Sequence, residues 1–236
     1  MPAVQVMACC EAISRPGDLL ARDGYAVIDG AGADLREAVA AFDRLRSDSD
    51  ESERIAPDHP LIAMLLGTPA IRDLVAQAVG TAARPVRAIA FDKTGQRNWF
   101  VPWHQDRTIA VNARDEIAAV THWTVKAGVP HCEAPIPMLE RMLTLRWHLD
   151  PVGPADGGLR VLPGSHCRGR LTSEDIRSLA AATPAVELAA ASGSVLAMRS
   201  LLVHGSRRRT TQGHRRILHV ELAAGDPPAP LHWAWA

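Results

Sequence analysis

What this sequence lacks narrows the reading first. No apolar run approaches the roughly 18 residues needed to span a bilayer. No basic segment followed by an apolar signal core opens the chain, so the expectation is a cytoplasmic protein with no membrane partner. Net charge is absent as well: 26 basic residues balance 26 acidic ones, with no basic stripe or tail, which argues against a nucleic-acid partner. The four cysteines, Cys9, Cys10, Cys132 and Cys167, show no C-x-x-C spacing and are read as reduced thiols rather than a zinc knuckle or a disulfide framework. No internal repeat or low-complexity linker divides the 236 residues, a length that one large core can serve. The expectation is a single domain over 1–236, with 1–17 a leader or packing segment and 225–236 a C-terminal tail, in a monomer or homodimer.

What is present changes character along the chain. Tyr25 to Ile28, between Gly24 and Gly30, reads as a strand, and Asp34-x-x-Glu37 has the form of a helix-opening capping box. Leu35, Ala38, Val39, Phe42 and Leu45 then follow at helical spacing, and a second amphipathic helix is expected from Pro69 to Val79, ended by Gly80. Arg15-Pro16-Gly17 reads as a break in regular structure, and the Ser/Asp/Glu run 47–53 as a solvated loop. After residue 85, short β-type runs recur between Pro, Gly and Asp turns: 86–91, 99–104, 142–149, 159–162, 194–198 and 217–222. Ser173 to Leu179 reads as a short exposed helix, and 127–141 as an irregular loop. The fold class expected is mainly β with flanking α-helices, a sandwich or jelly roll with helices packed on one face.

The chemistry centres on His104-x-Asp106, just after an expected strand. Residues i and i+2 of an extended segment project to one face, so an imidazole and a carboxylate can meet at one metal ion. A His–Asp hydrogen bond explains that pair alone equally well, so the metal reading requires a third ligand. His204 qualifies: it follows the strand expected at 194–198, and the late strands of a jelly roll can lie beside the first strand of the core. Two imidazoles and one carboxylate form the facial set of non-haem Fe(II) oxygenases, which leaves positions open for a co-substrate and O₂. If that co-substrate is 2-oxoglutarate, its far carboxylate calls for a guanidinium fork. Arg215, entering the strand at 217–222, is the choice, and Arg216, of opposite parity, points away. Thr144, Arg146 and His148 share one face of their strand, which fits a barrel interior or a half-exposed sheet equally. Arg207-Arg208-Arg209 reads as a solvated basic turn, with an anchor for an anionic substrate as the second reading.

These residues carry a family resemblance. Pro102-Trp103-His104-Gln105-Asp106, Leu159 to His166, and His204-Gly205-Ser206 followed by Thr211 to Arg215 resemble, in order, the three signatures of the phytanoyl-CoA dioxygenase family of Fe(II)/2-oxoglutarate oxygenases, over residues 18 to 224. The resemblance implies a double-stranded β-helix (a cupin-like jelly roll), with iron on His104, Asp106 and His204 and 2-oxoglutarate on Arg215. It also implies secondary co-substrate contacts from Lys93, Asn98 and Thr144. The activity implied is O₂-dependent hydroxylation of a small-molecule substrate coupled to decarboxylation of 2-oxoglutarate to succinate and CO₂. A zinc-dependent hydrolase on the same His-Asp-His set is one alternative, although it has no need of a carboxylate clamp such as Arg215. An inactive jelly-roll binding protein is the other.

Overall fold

The computed structural model describes residues 15–30, 34–45 and 52–235. Helix α1 (Pro16–Arg22) and strand β1 (Tyr25–Ile28) lead into α2 (Leu35–Arg44), β2 (Ser52–Ile55), α3 (Pro60–Leu66) and α4 (Pro69–Ala78). Strands β3 (Arg84–Lys93), β4 (Val101–His104), β5 (Thr108–Ala110), β6 (Thr121–Lys126) and β7 (Val129–Glu133) follow, then α5 (Ile136–Leu139), β8 (Leu143–His148), β9 (Leu159–Val161) and α6 (Ser173–Ala182). The chain closes with β10 (Val186–Glu187), β11 (Val195–Arg199), β12 (His204–Ser206) and β13 (Arg215–Ala223).

The strands form a double-stranded β-helix. A six-stranded sheet runs β1-β11-β8-β13-β3-β2 and a four-stranded sheet runs β10-β9-β12-β4, while β5-β7-β6 make a third, smaller sheet. The large sheet separates two chemistries by strand parity. Leu143, Leu145 and Trp147 of β8 and Leu218, Val220 and Leu222 of β13 point to one side, where they pack with Leu20, Phe42, Leu61, Ile62, Leu65, Ile71 and Leu74 from the helices. Each such side chain contributes about 1.5–3 kcal/mol by leaving water, so this face fixes the register of the sheet. The alternate residues, including Arg146, Arg215 and His219, are thereby turned to the other side, toward the four-stranded sheet. A one-residue slip would exchange the two sets, and no core would survive it.

Local rules explain most helix ends. The Asp34 carboxylate accepts from the backbone N–H groups of Arg36 and Glu37, capping α2. Thr172 and Asp175 cap α6 reciprocally. The structure corrects other expectations. Pro16 does not break the chain but begins α1, because its fixed φ and missing N–H suit the first helical turn. Ser52 and Glu53 belong to β2, an edge strand paired with Ile89 to Phe91 and Ala88 on β3, while 46–51 lie outside the described residues. Within 127–141 the chain forms β7 and α5 rather than an irregular loop. The C-terminal segment packs firmly, with Leu231 and Trp233 each 3 % exposed and Trp233 bridged to Val111. Residues 1–14, including Cys9 and Cys10, lie outside the described residues; Cys132 and Cys167 are free thiols. Among the described residues no single helix is long and apolar enough to cross a membrane.

Candidate active site

β12 lies antiparallel between β9 and β4, and its register sets His204 directly opposite His104. The two imidazoles are cross-strand neighbours with ring centroids 4.2 Å apart. Gly205 makes the approach possible, because a Cβ there would stand 3.0 Å from the Val101 carbonyl and 3.2 Å from that of Pro102. Asp106 follows β4 by two residues, and its backbone N–H donates to the Ser200 carbonyl. Between the two β4-side residues, buried Gln105 donates to the Gly169 and Leu201 carbonyls and accepts from Leu171 N–H, which fastens the segment to two other loops. The sequence carries no signal for that role of Gln105.

The result is a compact donor set. His104 Nε2 lies 3.5 Å from Asp106 Oδ1, and His204 Nε2 lies 3.6 Å from Asp106 Oδ2. Each imidazole donates from Nδ1 to a carbonyl, His104 to Pro102 and His204 to Leu202, both at 2.9 Å. That leaves the Nε2 lone pairs directed at the carboxylate, the tautomer a metal requires. Burial, with His104 nearby, depresses His204 to about 4 and keeps it neutral. For His104 burial acts in the same direction but is outweighed by the hydrogen bond and charge of Asp106, which raise its pKa. Burial would push Asp106 up, yet the neighbouring imidazoles hold it well below the usual carboxylate range. Two imidazole nitrogens and one carboxylate oxygen converging on one point suit a divalent transition metal.

The donor set opens on a cavity of about 210 Å³ between the sheets, lined on the other side by Arg215, Arg146, His219, Arg87, Phe91 and Ile89. Arg215 is 3 % exposed, donates from Nη1 to the Gly157 carbonyl, and has a buried Nε with no partner. Burial and the neighbouring guanidinium of Arg146 lower it to about 9, a cation poised for an anion. Arg216 points the opposite way, to Asp150 (2.7 Å) and Asp43 (3.0 Å). Thr144, Arg146 and His148 do face the interior; the Thr144 hydroxyl is buried without a partner.

The other expected residues sit around the cavity rather than on its wall. Lys93, directly across from Arg215 in the β3–β13 ladder, is fully buried and donates to Trp99 O, Ser206 Oγ and Arg207 O. Asn98 holds the Arg209 backbone through both amide atoms, at 2.8 and 2.9 Å. The arginine cluster divides: Arg207 pairs with Glu187 at the surface, while Arg209 is 5 % exposed and staples the loop through Lys93 O, Gly213 O and Gln212 O. For Arg209 this replaces the expected solvated turn, because the loop's inward carbonyls need a donor.

The phytanoyl-CoA dioxygenase (PhyH) family model matches residues 20–217. The chain belongs to this family. Phytanoyl-CoA dioxygenase family members use Fe(II), 2-oxoglutarate and O₂, and the chain is therefore an Fe(II)/2-oxoglutarate oxygenase with those cofactors. Solved structures with the same fold include AviO1 from Streptomyces viridochromogenes Tue57 (24 % identity, 92 % of this chain and 97 % of that one, TM-score 0.62). EctD from S. alaskensis with 2-oxoglutarate and 5-hydroxyectoine is similar over 94 % of this chain and 83 % of that one (22 % identity, TM-score 0.69). HygX from Streptomyces hygroscopicus with nickel and 2-oxoglutarate is similar over 92 % and 89 % (18 % identity, TM-score 0.64). No curated protein matches by sequence.

Sequence reasoning did not assign Arg87, Glu221, His219, Arg54 or Lys126 to the site. Parity with Arg215 along β13 and with Lys93 along β3 was the available signal for the first three.

Proposed function

We propose that this oxygenase hydroxylates a small molecule, with the metal on His104, Asp106 and His204 and 2-oxoglutarate on Arg215. The observation that carries this reading is the pairing of the convergent His-Asp-His donor set with a buried arginine whose Nε lacks a partner, both on one cavity. The donor chemistry fits Fe(II): one carboxylate and two neutral imidazoles leave one positive charge for a 2-oxo acid carboxylate to balance. Bound there, iron supplies O₂ activation, so that one oxygen atom enters a substrate C–H bond while 2-oxoglutarate becomes succinate and CO₂.

The protein's own residues then orient and shield. Arg215 receives the far carboxylate in a two-pronged contact, which desolvation strengthens. Lys93 and Asn98 support the site as its frame: Lys93 ties Ser206 of β12 to β3, and Asn98 fixes the loop that carries Arg209. Thr144 offers an unpaired hydroxyl to the interior. Asp106 supports hydroxylation as the outcome, because the carboxylate position is filled rather than vacated for a halide.

Anaerobic addition of Fe(II) and 2-oxoglutarate should produce a weak visible charge-transfer band, and oxygen should then release succinate. Asp106→Ala and His204→Ala should lose both signals. A protein that copurifies with zinc and gives neither band nor succinate would return the site to the hydrolase reading.

A further inference from the structure

The cavity beside the metal site carries more positive charge than the proposed chemistry uses. Its wall holds the cations Arg54, Arg87, Lys126, Arg146 and Arg215 but a single carboxylate, Asp106. Arg215 is committed to 2-oxoglutarate and Asp106 to the metal on the reading above. Arg87 is matched by Glu221, to which it donates from Nε at 2.9 Å. Arg146 meets neutral groups, donating to His219 Nδ1 at 2.8 Å and lying 5.6 Å from the Phe91 ring centroid. Arg54 and Lys126 remain, and among the described residues neither forms an ion pair with a carboxylate.

Arg54 comes from edge strand β2, opposite Ile89, and its Nε is buried with no hydrogen-bond partner. Lys126 ends β6, where Ala127 and Gly128 reverse the chain into β7 with φ of 49° and 77°. Two unrelated elements thus bring cations to one cavity, where they repel: burial and then Arg87 lower Arg54, and burial followed by Arg87 and Arg54 lowers Lys126. Arg54 is half-buried and Lys126 is exposed at the cavity mouth, so like charges sit together without a counter-ion, and a ligand anion relieves their repulsion.

We propose that Arg54 and Lys126 form a subsite for an anionic group, a carboxylate or a phosphate, on the substrate. This rests on the oxygenase reading only for which anion Arg215 takes. The guanidinium supplies a planar fork and the ammonium a point charge, a pair that serves either group. Ile89 and Phe91 of β3 and Leu159 of β9, which line the same cavity, offer apolar contact to the rest of the molecule.

Benzoate, phenyl phosphate and neutral benzamide test this by calorimetry on the anaerobic protein loaded with Fe(II) and 2-oxoglutarate. At least one of the two anions should bind and benzamide should not; which anion binds more tightly separates the two sources. Arg54→Gln and Lys126→Gln should each weaken binding about tenfold or more, and Arg54→Lys and Lys126→Arg should recover most of it. Benzamide binding as tightly as the anions, or Gln variants that bind anions normally, would overturn the subsite. So would anions that bleach the charge-transfer band competitively with 2-oxoglutarate, since they would then occupy the Arg215 position. If no band ever forms but anion binding still depends on Arg54 and Lys126, the oxygenase assignment of the pocket fails and the subsite stands.

Discussion

Arg87 and Glu221 face one another across the β3–β13 ladder and form an ion pair buried in the same interior as the His-Asp-His set. Glu221 also accepts from His219 at 3.2 Å, and the Glu221 and Asp106 carboxylates lie within 4.8 Å of each other and of His219. Arg87 therefore compensates two acidic groups that would otherwise repel. Burial alone would push the Glu221 carboxyl up, but the Arg87 guanidinium and the contact with His219 pull it below its ordinary value.

The first prediction concerns stability. Removing one member of the pair, as in Arg87→Met, leaves a buried carboxylate unmatched and should cost about 3–5 kcal/mol in denaturant unfolding. The double variant Arg87→Met/Glu221→Leu should recover much of that loss. A lowered folded-state pKa means that the pair's contribution is complete above the unfolded Glu value, about 4.3, and is lost as pH falls through the lower folded value. The wild type should therefore lose stability below about pH 4 more steeply than the double variant. Parallel acid profiles for the two proteins would contradict this.

A second prediction separates adjacent arginines. Arg215→Gln should keep metal affinity but raise the 2-oxoglutarate concentration needed for half-saturation about a hundredfold, read from the charge-transfer band. Arg216→Gln breaks the contacts to Asp150 and Asp43 on the opposite face of the sheet and should lower the melting temperature with little change in that titration. The reverse pattern would exchange the roles.

How much of this was legible in the sequence follows strand parity. Once hydrophobic alternation put Leu218, Val220 and Leu222 on one face, Arg215, His219 and Glu221 had to share the other, and Arg216 had to leave it. The metal set was readable because His104 and Asp106 are close in sequence and His204 lies in a recognisable block. Arg54 and Lys126 were not readable. Each reaches the cavity through pairing that local pattern does not encode: β2 through long-range register with β3, and β6 through a hairpin whose strand Thr121–Lys126 is exposed except at Trp123 and leaves Lys126 on its polar side. Pro16 misled for a simpler reason, since proline both ends and begins helices and the following residues had to decide.

Gly205 supplies a third prediction. It lies between His204 and Ser206 on the strand that holds the two imidazoles in register, and backbone carbonyls of β4 would stand only 3.0 and 3.2 Å from a Cβ there. Gly205→Ala must push β12 from β4 by a few tenths of an ångström, which spreads His204 from His104. Metal affinity should fall about tenfold, as it does when groups that orient metal ligands are disturbed, while far-ultraviolet circular dichroism stays native. Unchanged affinity would mean that the donor set tolerates a wider strand separation.

The last prediction concerns the hairpin that carries Lys126. Both central residues of the β6–β7 connection have positive φ, 49° at Ala127 and 77° at Gly128, the type I′ geometry that matches the right-handed twist of the flanking strands. Gly128 adopts it freely, but Ala127 sets its Cβ against the following carbonyl, at a cost of about 1–2 kcal/mol. Asparagine tolerates this region better because its side chain can hydrogen-bond locally, and Asn-Gly is the favoured pair for this turn. Ala127→Asn should therefore stabilise the protein by about 1 kcal/mol, a rise of about 2–4 °C in Tm for a chain of this size. Because it leaves Lys126 in place, it should also preserve anion binding at the cavity. A lower Tm would show that the turn relaxes to another geometry in solution, and Lys126 would then lose the position that directs its charge at the cavity mouth.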